Sequence, residues 1–238
     1  MDLYKKKKAL SDEDFDKDYG RHWIWSSLDP ESKLILNFVV GHRTLEDCRR
    51  FIDGLMRCIK TKPLFTSDEL PHYETVLVEH FSHLEVEPKT GKRGRPRKPK
   101  VVIDPGFNYA TVHKTRENGH VVKVERNIIH GDEKRIQQTI DASPVSNAVN
   151  TSFIERANLT LRNHTRRLTR KTLCFSKIKQ ALEAHLNIAV TYYNFSLTNR
   201  SLTLSHPTGQ QTKRTPGMAA NLINRIWPMK EIIAYPIC

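Results

Sequence analysis

The sequence has 238 residues, enough for one core of average size and too few for several large domains. Its 39 Lys and Arg outnumber its 26 Asp and Glu, and the net charge of +13 indicates a polyanionic partner, with nucleic acid ahead of an anionic membrane surface. No apolar run approaches the roughly 20 residues of a membrane span, and Met1 precedes charges rather than an apolar leader, so we expect a soluble, unsecreted protein.

The first two predicted elements are a β-hairpin and a helix. The hairpin covers residues 22–41, where two β-rich runs flank the turn sequence "DPES". Apolar residues at helical spacing then predict an amphipathic helix over 43–60, and Thr44 and Asp47 have the spacing of a capping box at its start.

A short apolar strand follows in "KPLFTS", and "HYETVLVEHF" predicts another helix, so the order strand, helix, strand, helix indicates an α/β domain. Asp68 comes directly after this strand, where the sheets of α/β proteins place their ligands. A carboxylate there is either a metal ligand or a helix-capping residue, and local sequence does not decide between the two.

The middle of the chain, residues 88–140, is predicted to be an insertion between the α/β core and the last third. It opens with the exposed basic loop "EPKTGKRGRPRKPK" and continues into a hairpin around Asn118-Gly119. The "RGRP" sequence, with Arg93, Arg95 and the nearby Arg97, resembles an AT-hook, whose extended core fits the minor groove of A·T-rich DNA. A basic linker that contacts only phosphates is the alternative.

The last third is predicted to be helical. One helix is expected to start at Ser143-Pro144 and to continue to about Lys171, and a second covers 176–196 with its apolar stripe in the core. The sequence "TPGMAANLINRIW" predicts a third, short helix. The cysteines lie far apart without a CxxC pair, which favours thiols over a disulfide or a zinc site.

Glu155 is the one acidic residue at the head of a dense basic run. At about 100° per residue its helix face also carries polar and basic side chains, whereas Ala157 and Leu161 fall on the far side. An ion pair with Arg156 or Arg162 on a solvated face is one interpretation. The other is a metal ligand beside a DNA-binding surface, whose expected members are Asn158, Arg162, Arg166, Arg167, Arg170 and Lys171.

The chain resembles the DDE transposases of insertion sequence 1 type in four segments, which occur in this order: "RHWIWSSLDPESKLILNFVVGHRTLEDCRRFIDGL", "LFTSDELPHY", "GKRGRPRKPK" and "NTSFIERANLTLRNHTRRLTRKTLCFSKIKQALEAHLNIAVTYYNF". The resemblance implies a ribonuclease H-like α/β fold, a mixed sheet flanked by helices, in which three acids bind two Mg²⁺ (or Mn²⁺) ions. Asp2, Asp68 and Glu155 match those acids. Asn158 and Arg162 are expected to orient Glu155 and the scissile phosphate.

The same resemblance implies metal-dependent DNA cleavage and strand transfer of an insertion element. Expected partners are the element ends, the target DNA and further copies of the chain on that DNA, without a membrane, in the cytoplasm and at the nucleoid. The family's amino-terminal zinc-binding and helix-turn-helix region has no match here, so the chain is interpreted as truncated. The alternatives are an inactive remnant that only binds DNA and a structure-selective nuclease on the same fold.

The predicted organisation has three parts. Residues 1–87 form the first part of the catalytic core, 88–140 form the insertion, and 141–238 hold the Glu155 helix with the carboxy-terminal helices.

Overall fold

The computed structural model describes residues 22–86, 98–169, 173–174, 176, 178–207 and 209–234. The chain divides into two compact units. One unit combines Met1–Cys58 with Ser152–Cys238, and the other is Ile59–Thr151. The three-part division predicted from the sequence stays a prediction.

The first unit begins with the predicted hairpin. Strands β1 (Trp23–Leu28) and β2 (Ile35–Gly41) pair antiparallel, with Trp23 opposite Gly41. Asp29 closes the turn, because its carboxylate accepts a hydrogen bond from the Ser32 amide at 2.9 Å. This confirms the hairpin and the interpretation of Asp29 as a turn residue.

The first helix, α1 (Leu45–Cys58), follows directly, and the Thr44 side chain caps it as the predicted capping box requires. The Asp47 amide donates to Thr44 Oγ1 at 3.2 Å, and the Thr44 hydroxyl donates to Asp47 Oδ2 at 3.2 Å. The same carboxylate accepts from the His42 amide at 2.7 Å. Asp47 therefore joins the end of β2 to the start of α1.

Three helical elements complete the core of the first unit: α4 (Ser152–His164), a 3₁₀ turn (Arg166–Leu168) and α5 (Lys179–Phe195). The predicted helix start at Ser143-Pro144 and its end near Lys171 were wrong, since α4 begins at Ser152 and ends at His164. Ser146 Oγ donates a hydrogen bond to the Ala148 carbonyl at 2.7 Å. Such local side-chain bonds to the backbone compete with the hydrogen bonds of a helix.

The core of this unit lies between β2, α4 and α5. Its buried side chains are Ile35, Val40, Ala157, Leu161, Leu168, Leu182, Leu186, Val190 and Tyr193. One buried amide ties the sheet to the helix: Asn194 accepts from the Ile35 amide and donates to the Ile35 carbonyl, each at 3.0 Å. The hairpin and α5 are thereby joined by polar as well as apolar contacts.

The end of the first unit holds a hairpin and two short helices. The hairpin of β8 (Asn199–Ser205) and β9 (Gln211–Arg214) was not predicted. Helices α6 (Pro216–Ala219) and α7 (Met229–Ala234) follow, and the first of them lies in the segment predicted to hold a short helix. Trp227 stacks on Phe195, with ring centroids 5.2 Å apart, and so packs this end against α5.

The second unit contains a three-stranded sheet in the order β3-β6-β7, with β3 (Leu64–Ser67), β6 (Asn108–Glu117) and β7 (His120–His130). β3 pairs in parallel with β6, while β6 and β7 form the predicted antiparallel hairpin. Asn118 and Gly119 make its turn with φ values of 49° and 82°. This combination of positive angles is typical of the tightest hairpin turns.

Helices α2 (Pro71–His80) and α3 (Glu133–Asp141) and the pair β4 (Ser82–Glu85) and β5 (Lys100–Ile103) complete the second unit. Its packing is aromatic: Phe81 stacks on Phe107 with centroids 4.9 Å apart, and Phe107 stacks on Tyr109 at 6.3 Å. A smaller apolar cluster joins Ala110 and Val112 of β6 to Val149.

The mixed α/β class is confirmed by these helices and sheets. The ribonuclease H-like arrangement stays a prediction. No helix within the described ranges is long and apolar enough to cross a membrane. Among the described cysteines, Cys48 is buried, Cys58 and Cys174 are exposed, and none forms a disulfide with another.

Candidate nucleic-acid and metal site

Asp68 lies in the second unit, immediately after the last residue of β3, and its side chain is exposed. It is not a helix cap, because α2 begins at Pro71 with Leu70 as its N-cap residue and without a side-chain cap. In the part of the chain that the structure describes, the Asp68 carboxylate has no hydrogen-bond or ion-pair partner. It therefore remains accessible to a cation at the carboxyl end of a parallel strand.

The backbone that carries Asp68 is fixed by its neighbour Ser67. The Ser67 hydroxyl lies 2.7 Å from the Tyr109 hydroxyl on β6 and donates to the Asp68 carbonyl at 2.6 Å. Tyr109 is itself almost completely buried. Asp68 thus projects from a strand end that is bonded to the adjacent strand.

Glu69 fixes the other side of Asp68. Its carboxylate lies 2.6 Å from His113 Nδ1 on β6 and accepts from Asn127 Nδ2 on β7 at 3.5 Å. Sequence reasoning missed this set of polar neighbours. Since Ser67 is opposite Thr111, His113 lies just beyond the end of β3, but only the parallel pairing of β3 with β6 reveals this.

Glu155 lies in the first unit, in the first turn of α4, and its side chain is exposed. The partial positive charge of a helix amino terminus favours a carboxylate at this position. Ala157 and Leu161 are buried on the opposite side of the helix, as predicted. The burial of that side directs Glu155 to the surface.

A contact from the β1–β2 turn positions the start of α4. Lys33 Nζ lies 3.6 Å from the centroid of the Phe153 ring and also donates to the Pro30 carbonyl. Partial burial lowers the pKa of Lys33, although the nearby carboxylates of Asp29 and Glu31 act in the opposite direction. The helix turn that carries Glu155 is therefore held against the first hairpin.

Asn158 and Arg162 continue the predicted polar face, and both side chains are half-buried. Asn158 Oδ1 accepts a hydrogen bond from the Ser26 hydroxyl on β1 at 3.2 Å. That bond fixes the amide relative to the sheet and leaves its NH₂ group as the donor toward a ligand.

Arg166 and Arg167 lie on the 3₁₀ turn after α4, and both are exposed. The turn is anchored by Leu168, which is 4% exposed, and by Thr165, which is 2% exposed. Two guanidinium groups are thus presented to solvent on a backbone whose neighbouring residues are buried.

The remaining predicted site residues lie outside the described residues: Asp2, Arg93, Arg95, Arg97, Arg170 and Lys171. Asp68 and Glu155 belong to different compact units. Among the residues that the structure describes, no group of three or more His, Cys, Asp or Glu side chains could hold a metal ion. A complete ligand set for a metal is therefore a prediction.

The fold and these side chains define a mixed α/β protein with exposed carboxylates and, after Glu155, a strongly basic helical surface. Residues 131–199 match the family model for IS1 transposase. The match runs from α3 through α5, includes Glu155, and confirms the resemblance to DDE transposases of insertion sequence 1 type. No curated protein and no solved structure matches the chain.

Proposed function

We propose that this chain is the transposase of an insertion element and that it cuts and joins DNA by metal-dependent phosphoryl transfer. One observation carries the proposal: the segment that matches the IS1 transposase model contains an exposed Glu155, and no acidic residue follows it before Glu183. Such a surface combines a carboxylate for a cation with guanidinium groups for DNA phosphates.

The donor chemistry of the two described carboxylates fits a hard divalent cation. Asp68 and Glu155 are exposed and offer oxygen ligands, which Mg²⁺ and Mn²⁺ prefer. The resemblance supplies Asp2 as the third acid. Bound by these residues, the ions would stabilise the charge on the attacking and leaving oxygens.

The basic residues after Glu155 would hold the DNA. Arg162, Arg166 and Arg167 can neutralise DNA phosphates, so binding should weaken steeply as salt rises. Asn158, whose oxygen is occupied by Ser26, would use its NH₂ group on a phosphate or on Glu155.

The proposed reaction has two steps of the same type. Water attacks the phosphorus at the element end, a P–O bond forms, the old P–O bond breaks, and a 3′ hydroxyl is released. That hydroxyl then attacks a phosphodiester of the target DNA, whose own 3′ oxygen leaves. The first step replaces a phosphoester bond with a P–OH bond, and the second exchanges one phosphoester bond for another. Neither step requires a covalent bond between the protein and DNA.

The test separates cleavage from binding. Asp68→Asn and Glu155→Gln remove one charge each without changing shape, and we expect each to lower cleavage at least about a thousandfold while duplex affinity changes less than about threefold. The substrate is a plasmid that carries the genomic segment encoding the chain, with Mg²⁺ or Mn²⁺ present.

Glu46→Gln is the matched control, since Glu46 is also an exposed glutamate in the first turn of a helix. It should cleave like the wild type. If the Glu155→Gln protein cleaves DNA at the wild-type rate, the proposed mechanism is ruled out. If the wild-type protein binds the DNA but does not cleave it, the chain is a DNA-binding protein without nuclease activity.

A further inference from the structure

An open pocket lies beside the 3₁₀ turn of the first unit. Its described lining residues are Arg166, Arg167, Cys174 and His185, and the cavity holds about 380 Å³. No carboxylate is among these lining residues. The described lining of the pocket therefore contains two guanidinium groups and an imidazole, and no acidic side chain that could neutralise their charge.

Arg167 is held at the wall of this pocket. Its Nη1 atom donates to the Ser176 hydroxyl at 3.3 Å, and Ser176 is only 3% exposed. Because a guanidinium group has five N–H donors, this bond leaves others for a ligand. The adjacent Leu168 is buried, so the backbone of Arg167 is anchored as well.

His185 forms another part of the wall, from α5. It follows the buried Leu182 by three residues and precedes the buried Leu186, so it lies at the edge of the core. Partial burial lowers the pKa of His185, and the positive charge of Arg167 lowers it further. The groups one turn away on its own helix are uncharged: Ala181, Leu182, Ile188 and Ala189.

The described lining of this pocket carries basic side chains and no acidic one. Arg167 and His185 lie close enough for their positive charges to repel each other. The other described lining residues are Arg166, which is also basic, and Cys174. An anion in the cavity would remove the repulsion and favour the protonated imidazole. The group that fits is compact, singly or doubly charged and rich in acceptor oxygens.

We propose that this pocket binds one phosphodiester group of DNA, with Arg166, Arg167 and His185 as its contacts. The inference rests on the DNA binding of the proposed function and adds a defined phosphate position to it. Arginine suits such a position because its planar fork of donors matches phosphate oxygens. Inorganic phosphate shares the same chemistry and can serve as a competing probe.

The experiment measures binding of the full chain to a fluorescent DNA duplex over a range of salt concentrations. Arg167→Gln should weaken binding about fivefold or more and lower the salt slope by about one, as expected for one lost phosphate contact. His185→Gln should weaken binding about threefold at pH 6, where the imidazole can bind a proton in the complex.

Arg57→Gln and His120→Gln are the matched controls, since both residues are exposed and lie outside the pocket lining. They should bind DNA within about twofold of the wild type, because neither contacts the proposed phosphate. Circular dichroism of each variant verifies folding, and His185→Gln tests the pocket without removing the bond from Arg167 to Ser176.

Inorganic phosphate provides the second arm. At matched ionic strength it should displace DNA from the wild type more effectively than chloride does, and this excess should disappear in both pocket variants. Equal DNA affinity for the pocket and control variants would overturn the proposal, as would phosphate binding that leaves DNA affinity unchanged. These readouts need no cleavage. A failure of the catalytic proposal would therefore not contradict the phosphate pocket, and a failure of the phosphate pocket would not contradict the catalytic proposal.

Discussion

At the scale of single residues, Asn194 shows how one polar side chain holds the first unit together. It is 6% exposed and satisfies both the amide and the carbonyl of Ile35 on β2. Asn194→Ala would leave two buried backbone groups without partners, at a cost of about 2–4 kcal/mol in the free energy of unfolding.

Urea denaturation checks this value. Asn187→Ala, an exposed position on the same helix, should change the free energy of unfolding by less than about 0.5 kcal/mol. A loss for Asn194→Ala no larger than that of the control would show that the bonds to Ile35 do not stabilise the fold.

His185 makes stability depend on pH. Its pKa is lower in the folded chain than its ordinary value of 6.5, so the unfolded chain binds a proton more readily. The wild type should therefore lose stability as pH falls from above 6.5 through the lowered pKa, whereas His185→Gln should lose less. Thermal melts at pH 7.5 and 5.5 measure the difference, and an equal loss in both proteins would contradict the assignment.

At the scale of elements, the turn of the β6–β7 hairpin requires positive φ angles at Asn118 and Gly119. Gly119 has φ of 82°, and a Cβ added there would meet no atom within 4 Å. Gly119→Ala should thus cost about 1 kcal/mol through backbone strain alone. Urea denaturation tests this, with His120→Ala as the neighbouring control; an unchanged midpoint for Gly119→Ala would mean that the turn tolerates a side chain.

Local signals in the sequence were sufficient for elements that depend on nearby residues. The Asn118-Gly119 turn, the Thr44 cap of α1 and the burial of Leu182, Leu186, Val190 and Tyr193 on α5 were predicted and are confirmed. Each depends on a turn residue, a cap or a periodicity within a few positions along the chain.

Elements that depend on distant contacts were predicted less well. The start of α4 was placed nine residues too early, at Ser143 rather than Ser152, because the side-chain bonds of Ser146 and Asn150 have no periodic signal. The β8–β9 hairpin was missed because its strands are mostly polar and exposed. His113 was overlooked at the candidate site because strand pairing brings it to Glu69 from 44 residues away.

At the scale of the whole molecule, the two described acids of the proposal lie in different compact units, Glu155 in the first and Asp68 in the second. The position of each was recognised from resemblance, and the structure adds the local contacts that fix their backbones. Asp68 is bracketed by bonded neighbours, whereas Glu155 is directed outward by the buried side of α4. The assignment of both as metal ligands is the central claim.

Strand transfer is the measurement that tests this claim most directly. A labelled DNA end from the element is incubated with the full chain, a target plasmid and Mg²⁺ or Mn²⁺, and the joined product is counted. We predict joining by the wild type and by Glu46→Gln, none after chelation of the metal, and none by Asp68→Asn or Glu155→Gln. Joined product from the Glu155→Gln protein at the wild-type rate would contradict the account.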